Sequence, residues 1–195
     1  MRFYDVTEGE ILLDGVNIKE IKTEELRKKL GYVPQKALLF SGTIEENIKY
    51  GKENATDEEV NHAAEIAQAI EFIDEKEEKF KSEIAQGGAN VSGGQKQRLS
   101  IARALVRKPE IYIFDDSFSA LDFKTDSKLR EALKGYTEKS STLIIAQRVS
   151  TILNSEQIIV LEDGKIAGMG KHNDLLKDSK IYQEIVYSQL SKEEI

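Results

Sequence analysis

The 195-residue chain contains no cysteine, no tryptophan and only two histidines. Without cysteine it can form neither a disulfide framework nor a thiolate metal site, which suits a reducing compartment. It also lacks any apolar run close to the about 18 residues that a membrane-spanning helix needs. Its first residues have no apolar signal region. We therefore expect the polypeptide itself to be neither inserted in a membrane nor secreted.

Positive charge is scarce relative to negative charge. The 28 Lys and Arg residues face 35 Asp and Glu residues, giving a formal net charge of −7. No basic stripe of the kind that follows a phosphate backbone is present, so nucleic acid is not an expected partner. The hydrophobic content of 39% is typical of a folded domain. The length fits a single domain that buries a sizeable core.

The first half of the chain predicts a short strand, a short helix, an extended segment and two helices. These elements cover residues 11–13, 23–30, 31–34, 44–50 and 58–69. Thr43 with Glu46, and Thr56 with Glu59, match the capping box, in which hydroxyl and carboxylate satisfy free amides at a helix start. A polar stretch is predicted to follow, up to a glycine-rich segment.

The second half predicts alternating helices and strands. The helices cover residues 96–107, 123–136, 173–177 and 181–190, and the strands cover 111–114, 142–146, 158–161 and 165–167. The last two strands are expected to form a hairpin over the Asp-Gly turn in 162–164. The apolar runs at 111–114 and 142–146 are typical of strands buried on both faces of a parallel sheet. The sequence therefore predicts an α/β fold that binds ligands at the carboxyl ends of its strands. A helical subdomain is expected at about residues 43–107.

The segment Ser92-Gly93-Gly94-Gln95 has two interpretations. A capping box that starts an amphipathic helix explains Ser92 and Gln95. It does not explain the glycines, which weaken a first helical turn. Two glycines there suit a bulky anion that approaches the free amides at the positive end of the helix dipole. From these residues alone, both interpretations stay open.

Two adjacent carboxylates, Asp115 and Asp116, follow the apolar run at 111–114. An acidic end to a strand is common and needs no function. However, two neighbouring carboxylates repel each other unless a cation lies nearby. This position is also where a phosphoryl-transfer site holds its Mg²⁺ and its attacking water.

Five motifs in this order resemble those of one family, the nucleotide-binding domains of ABC transporters. Val33–Gln35 resembles the Q-loop, Val91–Arg98 the signature, Ile111–Asp115 the Walker B strand and Ser119–Asp122 the D-loop. Ala146–Arg148 lies where the switch histidine is found. The resemblance covers essentially the whole chain. It implies a P-loop NTPase-like ABC ATPase fold, with a parallel-sheet core and an inserted helical signature subdomain.

The resemblance also implies a site for ATP and Mg²⁺. The residues implied to bind the nucleotide are Gln35, Ser92, Gly93, Gly94, Gln95, Asp115 and Asp122. Of these, Gln35 and Asp115 are the implied metal ligands. Asp116 and Gln147 occupy the positions of the catalytic carboxylate and the switch residue.

Further segments resemble the exporters in which membrane and ATPase parts share one polypeptide. They are Leu39–Ile44, Glu46–Ile48, Ser82–Ile84 and Gly87–Asn90. This resemblance implies two partners, the transmembrane domain of the exporter and a second nucleotide-binding domain in a head-to-tail dimer. It places the domain at the cytoplasmic face of a cell membrane.

The sequence departs from the family at the phosphate loop. Gly-x-x-x-x-Gly-Lys-Ser/Thr does not occur, because none of the Gly-Lys pairs is followed by Ser or Thr. In the family, Arg2–Asp5 lies just after the helix that follows this loop. We therefore expect Met1 to be an internal methionine of a longer exporter whose earlier strands and loop lie upstream. The 195 residues alone are then expected to be inactive.

Two more departures affect hydrolysis. Asp116 stands where the family has Glu, and Gln147 stands where it has His. Together they predict a degenerate site in a heterodimer, with Ser92, Gly93 and Gly94 serving the partner's competent site. One alternative, a soluble ABC ATPase of chromosome maintenance or DNA repair, needs coiled-coil insertions that this compact acidic chain lacks. A non-hydrolysing fragment or pseudogene product that acts at most as a binding module is the other alternative.

Overall fold

A computed structural model describes residues 1–190, which form two compact units, the first Met1–Ile145 and the second beginning at Ala146. The strands are β1 (Leu12–Leu13), β2 (Val16–Asn17), β3 (Leu30–Val33), β4 (Gly42–Thr43), β5 (Glu83–Ile84), β6 (Ile111–Asp115), β7 (Ser141–Ile145), β8 (Ile158–Glu162) and β9 (Lys165–Gly170). The α-helices are α1 (Thr23–Lys28), α2 (Ile44–Lys49), α3 (Asp57–Ile66), α4 (Ile70–Asp74), α5 (Gly93–Leu105), α6 (Phe123–Tyr136), α7 (His172–Asp178) and α8 (Lys180–Gln189). Among these helices, none combines the length and apolar character needed to cross a bilayer.

A three-stranded parallel sheet in the order β3-β6-β7 forms the centre of the first unit. Tyr112 and Phe114 of β6 are fully buried, as expected for an apolar and aromatic central strand. Val33 lies opposite Phe114, and Asp115 lies opposite Ile145, so the three strands end at one edge. The predicted α/β class with a parallel core is confirmed.

The prediction that residues 142–146 form a strand buried on both faces was wrong. Within the part of the chain that the structure describes, β7 is an edge strand of its sheet. Ile144 packs against the core, but Leu143 and Ile145 on the opposite face are 53% and 44% exposed. An apolar run indicates a strand but does not establish that both of its faces are covered.

Helices α2 and α3 pack against α5. Leu99, Ala102, Leu105 and Val106 are all buried in the core cluster. The helix starts at Gly93 rather than near Lys96, because Ser92 caps it. The stretch after residue 69, expected to be polar, includes the short helix α4, whose Phe72 and Ile73 are buried. The bounds of a helical subdomain at 43–107 stay a prediction.

Both predicted capping boxes in this region are present. The Thr43 hydroxyl accepts a hydrogen bond from the Glu46 amide at 3.1 Å, and the Glu46 carboxylate accepts one from the Thr43 amide at 2.7 Å. Thr56 and Glu59 repeat the arrangement at the start of α3. The helix starts of α2 and α3 are therefore set by local sequence.

A buried polar contact joins α2 to α5. Asn47 is 2% exposed, and its side chain bonds to both the amide and the carbonyl of Phe40 and to the carbonyl of Thr43. Arg103 donates to the Asn47 carbonyl, to the Asn47 side-chain oxygen and to the Leu38 carbonyl, each at 2.8 Å. These bonds hold the segment before α2 against the end of α5.

The second unit contains the predicted hairpin and the two closing helices. β8 and β9 pair around Asp163-Gly164, both with positive φ, as an Asp-Gly turn requires. His172 lies at the start of α7, and its Nδ1 is 2.8 Å from the hydroxyl of buried Tyr182. This contact gives His172 a structural role.

We predict that Asn47→Ala destabilises the protein by about 2–4 kcal/mol. The change removes the side-chain partner of the Phe40 amide and of two carbonyl groups, while Arg103 keeps its bonds to the Asn47 and Leu38 carbonyls. A buried polar group left unpaired costs about 1–3 kcal/mol. Urea unfolding measures the difference in the free energy of unfolding. Asn61→Ala, at an exposed position of α3, is the matched control and should shift stability by no more than about 0.5 kcal/mol. Equal effects of the two variants would contradict the assigned role.

Candidate functional site

The ends of β3 and β6 bring together the polar residues that the sequence singled out. Gln35 lies two residues after the end of β3, Asp115 is the last residue of β6, and Asp116 follows it. Because the two strands are parallel neighbours, the side chains emerge at the same sheet edge. The Gln35 amide nitrogen donates to Asp116 Oδ2 at 3.1 Å. Predicted metal ligand Gln35 and predicted catalytic residue Asp116 are therefore in direct contact.

Asp116 has a left-handed backbone, with φ of +44°. Its amide donates to the Ile145 carbonyl at 2.8 Å, and its own carbonyl accepts from the Ser119 hydroxyl at 2.9 Å. Aspartate is one of the few non-glycine residues that adopt this conformation readily. The loop after β6 is thus fixed by β7 and by the residues that follow.

Two contacts that the sequence did not predict join β3 to β6. The Tyr32 hydroxyl donates to Asp115 Oδ2 at 3.0 Å. The fully buried Ser117 hydroxyl donates to the Val33 carbonyl at 2.9 Å. Burial, with a smaller contribution from the bond to Asp115, raises the pKa of Tyr32, so the phenol stays a donor at neutral pH. The only sign of the Tyr32 contact in the sequence is that a polar aromatic residue stands near the end of a strand.

The start of α5 shows the capping box of the first interpretation of Ser92-Gly93-Gly94-Gln95, and the anion site of the second stays a prediction. The Ser92 hydroxyl accepts from the Gln95 amide at 3.2 Å, and the Gln95 side chain accepts from the Ser92 amide at 3.0 Å. The capping box therefore uses the amides of Ser92 and Gln95. The amides of Gly93 and Gly94, the other two of the first turn, point out of the helix start. A Cβ at Gly93 would meet no atom within 4 Å, so this surface is open.

The segment at Ser119–Asp122 lies beside this helix start. A Cβ on Gly94 would be 3.4 Å from the Ala120 carbonyl oxygen, which is ordinary contact. Asp122, predicted to bind nucleotide, caps α6 and accepts from the Thr125 amide at 3.0 Å. Hydrogen bonds from Thr125 lower the pKa of Asp122 and keep the carboxylate ionised. The cap gives Asp122 a structural role and leaves its nucleotide role a prediction.

Gln97 was not singled out from the sequence. Its side chain is 2% exposed, and its amide nitrogen donates to the Pro34 carbonyl at 3.3 Å. This bond ties α5 to the residue immediately before Gln35. A hydrophobic pattern does not identify Gln97, because it gives no sign that a glutamine two positions after Gln95 is buried.

Gln147 belongs to the second unit. Its side chain is exposed, and its carbonyl accepts from the Gln189 side chain at 2.9 Å. Its catalytic role stays a prediction.

The donor set fits the Mg²⁺ that accompanies a nucleotide. Among residues 1–190 there is no cluster of three or more His, Cys, Asp or Glu side chains able to hold a metal. Mg²⁺ in nucleotide sites needs no such cluster, because one or two protein oxygens act together with phosphates and water. Asp115 and the amide oxygen of Gln35 are ligands of this kind, and the amides of Gly93 and Gly94 suit a phosphate.

Comparisons with known proteins identify the family of the chain. A family model described as ABC transporter matches residues 1–119. The chain is 47% identical over 192 residues to an uncharacterized ABC transporter ATP-binding protein, YfiB, of Bacillus subtilis, covering 98% of this chain and 33% of that protein. It is 45% identical over 184 residues to a putative multidrug export ATP-binding/permease protein of Staphylococcus aureus, covering 94% and 32%.

A solved structure supports the same assignment. A bacterial Atm1-family ABC exporter with ATP bound superposes with a TM-score of 0.95 at 40% identity, covering 98% of this chain and 34% of that one. The chain thus spans about one third of the length of the curated relatives it matches. It belongs to the ABC transporter family, as an ATP-binding domain of the exporter type.

Proposed function

We propose that this chain is the ATP-binding portion of an ABC exporter and forms composite ATP sites with a second domain of the same family. One observation carries the proposal: Gln35 contacts Asp116 at the strand ends of the same unit in which α5 presents two glycine amides at its start. The Gln35 and Asp116 side chains suit the metal and the attacking water. The two glycine amides suit the phosphates of a nucleotide held by the partner domain.

Each residue has a separate task in this proposal. Asp115 and the Gln35 amide oxygen hold the Mg²⁺ of the bound ATP, which neutralises charge on the phosphates during transfer. Asp116 orients the attacking water. Ser92, Gly93 and Gly94 bind phosphate oxygens of the partner's nucleotide. Gln95 caps the helix so that the two glycine amides stay available, and Asp122 fixes the loop beside them.

Hydrolysis at the chain's own site is slow in this proposal. Asp116 is one methylene shorter than the Glu of the family, and a displacement of about 1 Å costs on the order of a hundredfold in rate. Gln147 donates a hydrogen bond but, unlike His, neither carries positive charge nor takes a proton. The signature residues are intact, so we infer a heterodimer in which the partner's site turns over ATP.

The exporter's transmembrane domain is the second proposed partner. Phe40 and Tyr50 form an exposed aromatic pair with ring centroids 4.5 Å apart, and Arg103 lies over both rings. Leu38 and Tyr50 are 68% and 69% exposed. These four residues, which we call the aromatic patch, lie in the region that resembles the membrane-contacting part of exporters. The patch is a surface on which a membrane-domain helix can insert apolar side chains.

A binding module without hydrolysis is the second candidate. Its supporting observation is the pair Asp116 and Gln147, which stand where the family has Glu and His. Both candidates use the start of α5 and the aromatic patch. They differ in whether the chain's own site responds to restored catalytic residues.

We predict that Gly93→Asp lowers the ATPase rate of the assembled transporter at least about tenfold. The new carboxylate repels phosphate at the helix start, whereas a helix N-terminus by itself is stabilised by an acidic residue. The domain should therefore keep its thermal midpoint. Steady-state phosphate release with the partner domain present measures the effect.

The control for this variant is Asn173→Asp, which adds the same charge at an exposed position in the first turn of α7. It should leave the ATPase rate unchanged. Wild-type turnover in Gly93→Asp would mean that the capping box alone explains this motif.

We predict that Asp116→Glu combined with Gln147→His raises turnover at the chain's own site by about tenfold or more. The longer carboxylate reaches the water, and histidine restores a group that can carry charge. Single-turnover hydrolysis, with the partner's site inactivated, isolates this site. Glu at the left-handed backbone of Asp116 adds strain on the order of 1 kcal/mol.

Asp163→Glu controls for that strain, because Asp163 also has positive φ, at +47° in the hairpin turn. Its destabilisation should match that of Asp116→Glu, without any change in turnover. Unchanged turnover in the double variant would favour the non-hydrolysing binding module.

We predict that Tyr50→Ala weakens assembly with the transmembrane domain while changing the stability of the ATP-binding domain by no more than about 1 kcal/mol. The change removes an exposed ring and its contacts with Phe40 and Arg103. Co-purification of the two parts in detergent measures assembly. Tyr187→Ala, at an equally exposed position of α8, is the control and should assemble normally. Equal assembly of both variants would exclude the patch as the contact.

A further inference from the structure

We infer that Tyr32 is a positioning residue that orients the Asp115 carboxylate toward the metal of the bound nucleotide. The inference rests on the proposed function, in which Asp115 is a metal ligand. It adds a residue that none of the five motifs includes. The observation behind it is the hydrogen bond from the Tyr32 hydroxyl to Asp115 Oδ2 at 3.0 Å.

Strand register places the two side chains on one face of the sheet. Tyr32 lies opposite Ile113, and side chains two residues apart on a strand point to the same face. Asp115 is therefore the diagonal neighbour of Tyr32. Diagonal neighbours on adjacent strands lie about 7–8 Å apart, which a long aromatic side chain spans. A shorter donor at position 32 does not reach the carboxylate.

The hydrogen bond from Tyr32 restricts rotation of the Asp115 carboxylate about its terminal side-chain torsion. The terminal torsion of aspartate is broad and roughly two-fold, so a carboxylate without a fixed partner rotates freely. Engaging Oδ2 leaves Oδ1 available as a metal ligand. Partners of this kind fix the orientation of a metal ligand, and their loss lowers metal affinity by about 10–100-fold.

A purely structural role makes a different prediction. Tyr32 is half-buried, and its ring could serve only to fill space between the sheet and its helices. In that case phenylalanine would replace it without effect on metal binding. The hydroxyl is therefore the group to remove.

The test measures Mn²⁺ binding, in place of Mg²⁺, to the intact transporter with ATP present. Electron paramagnetic resonance gives the Mn²⁺ affinity and the spectrum of the bound ion without any turnover. For Tyr32→Phe we expect an affinity about tenfold weaker and a broadened Mn²⁺ spectrum. ATP affinity in excess EDTA and the thermal midpoint should stay at their wild-type values.

Tyr136→Phe is the matched control. Tyr136 is also half-buried, and its hydroxyl donates to the Leu105 carbonyl at 3.1 Å rather than to a carboxylate. Its loss should leave Mn²⁺ affinity unchanged. Asp115→Asn is the positive control and should abolish Mn²⁺ binding at this site.

The outcomes separate this inference from the proposed function. Wild-type Mn²⁺ affinity in Tyr32→Phe, with binding lost in Asp115→Asn, overturns the positioning role and leaves the proposed function standing. Equal losses of metal-free ATP binding and Mn²⁺ binding in Tyr32→Phe assign the residue a structural role and also overturn the inference. Absence of ATP-dependent Mn²⁺ binding in the wild-type protein overturns both.

Discussion

The parallel pairing of β3 with β6 is the constraint on which the site in the first unit depends. With Val33 opposite Phe114, the residues after both strands emerge together, and Gln35 reaches Asp116. The hydroxyl of Ser117 stabilises this arrangement by donating a hydrogen bond to the Val33 carbonyl. A slip of one residue would turn every side chain of β3 to the opposite face, because side chains alternate along a strand. The buried side chain of Val33 opposes that slip, since it would leave the core for the opposite face of the sheet.

Helix α5 connects this sheet edge to the other functional surfaces of the first unit. Its start carries the glycine amides, Gln97 in its second turn bonds to the Pro34 carbonyl, and Arg103 near its end bonds to Asn47. One rigid helix thus contacts the strand end that precedes Gln35 and the segment that presents the aromatic patch. Nucleotide binding at the helix start, in the proposed exporter, acts on both regions through hydrogen bonds to buried or half-buried groups. Such bonds break at a large cost, so the three regions are expected to move together.

Local rules explain what the sequence predicted well. Capping residues define the starts of α2 and α3, and an Asp-Gly pair defines the hairpin turn. The elements that were missed or misjudged depend on neighbours distant in sequence. The burial of β7 depends on which elements cover its faces, and α4 is too short to show a helical period. Tyr32 and Gln97 act through partners 83 and 63 residues away, so no local pattern identifies them.

The conformation of Asp116 bears on the meaning of the substitution at that position. Its positive φ is one that aspartate adopts more readily than glutamate, because a short polar side chain bonds to nearby groups. The difference for a single residue is only about 1 kcal/mol, which a folded domain of ordinary stability tolerates. The backbone therefore does not require aspartate there. The shorter side chain extends less far from the backbone, and in this structure it contacts Gln35. A carboxylate already engaged by the amide of the neighbouring strand end is less free to orient water, which is consistent with the slow hydrolysis that we propose for this site.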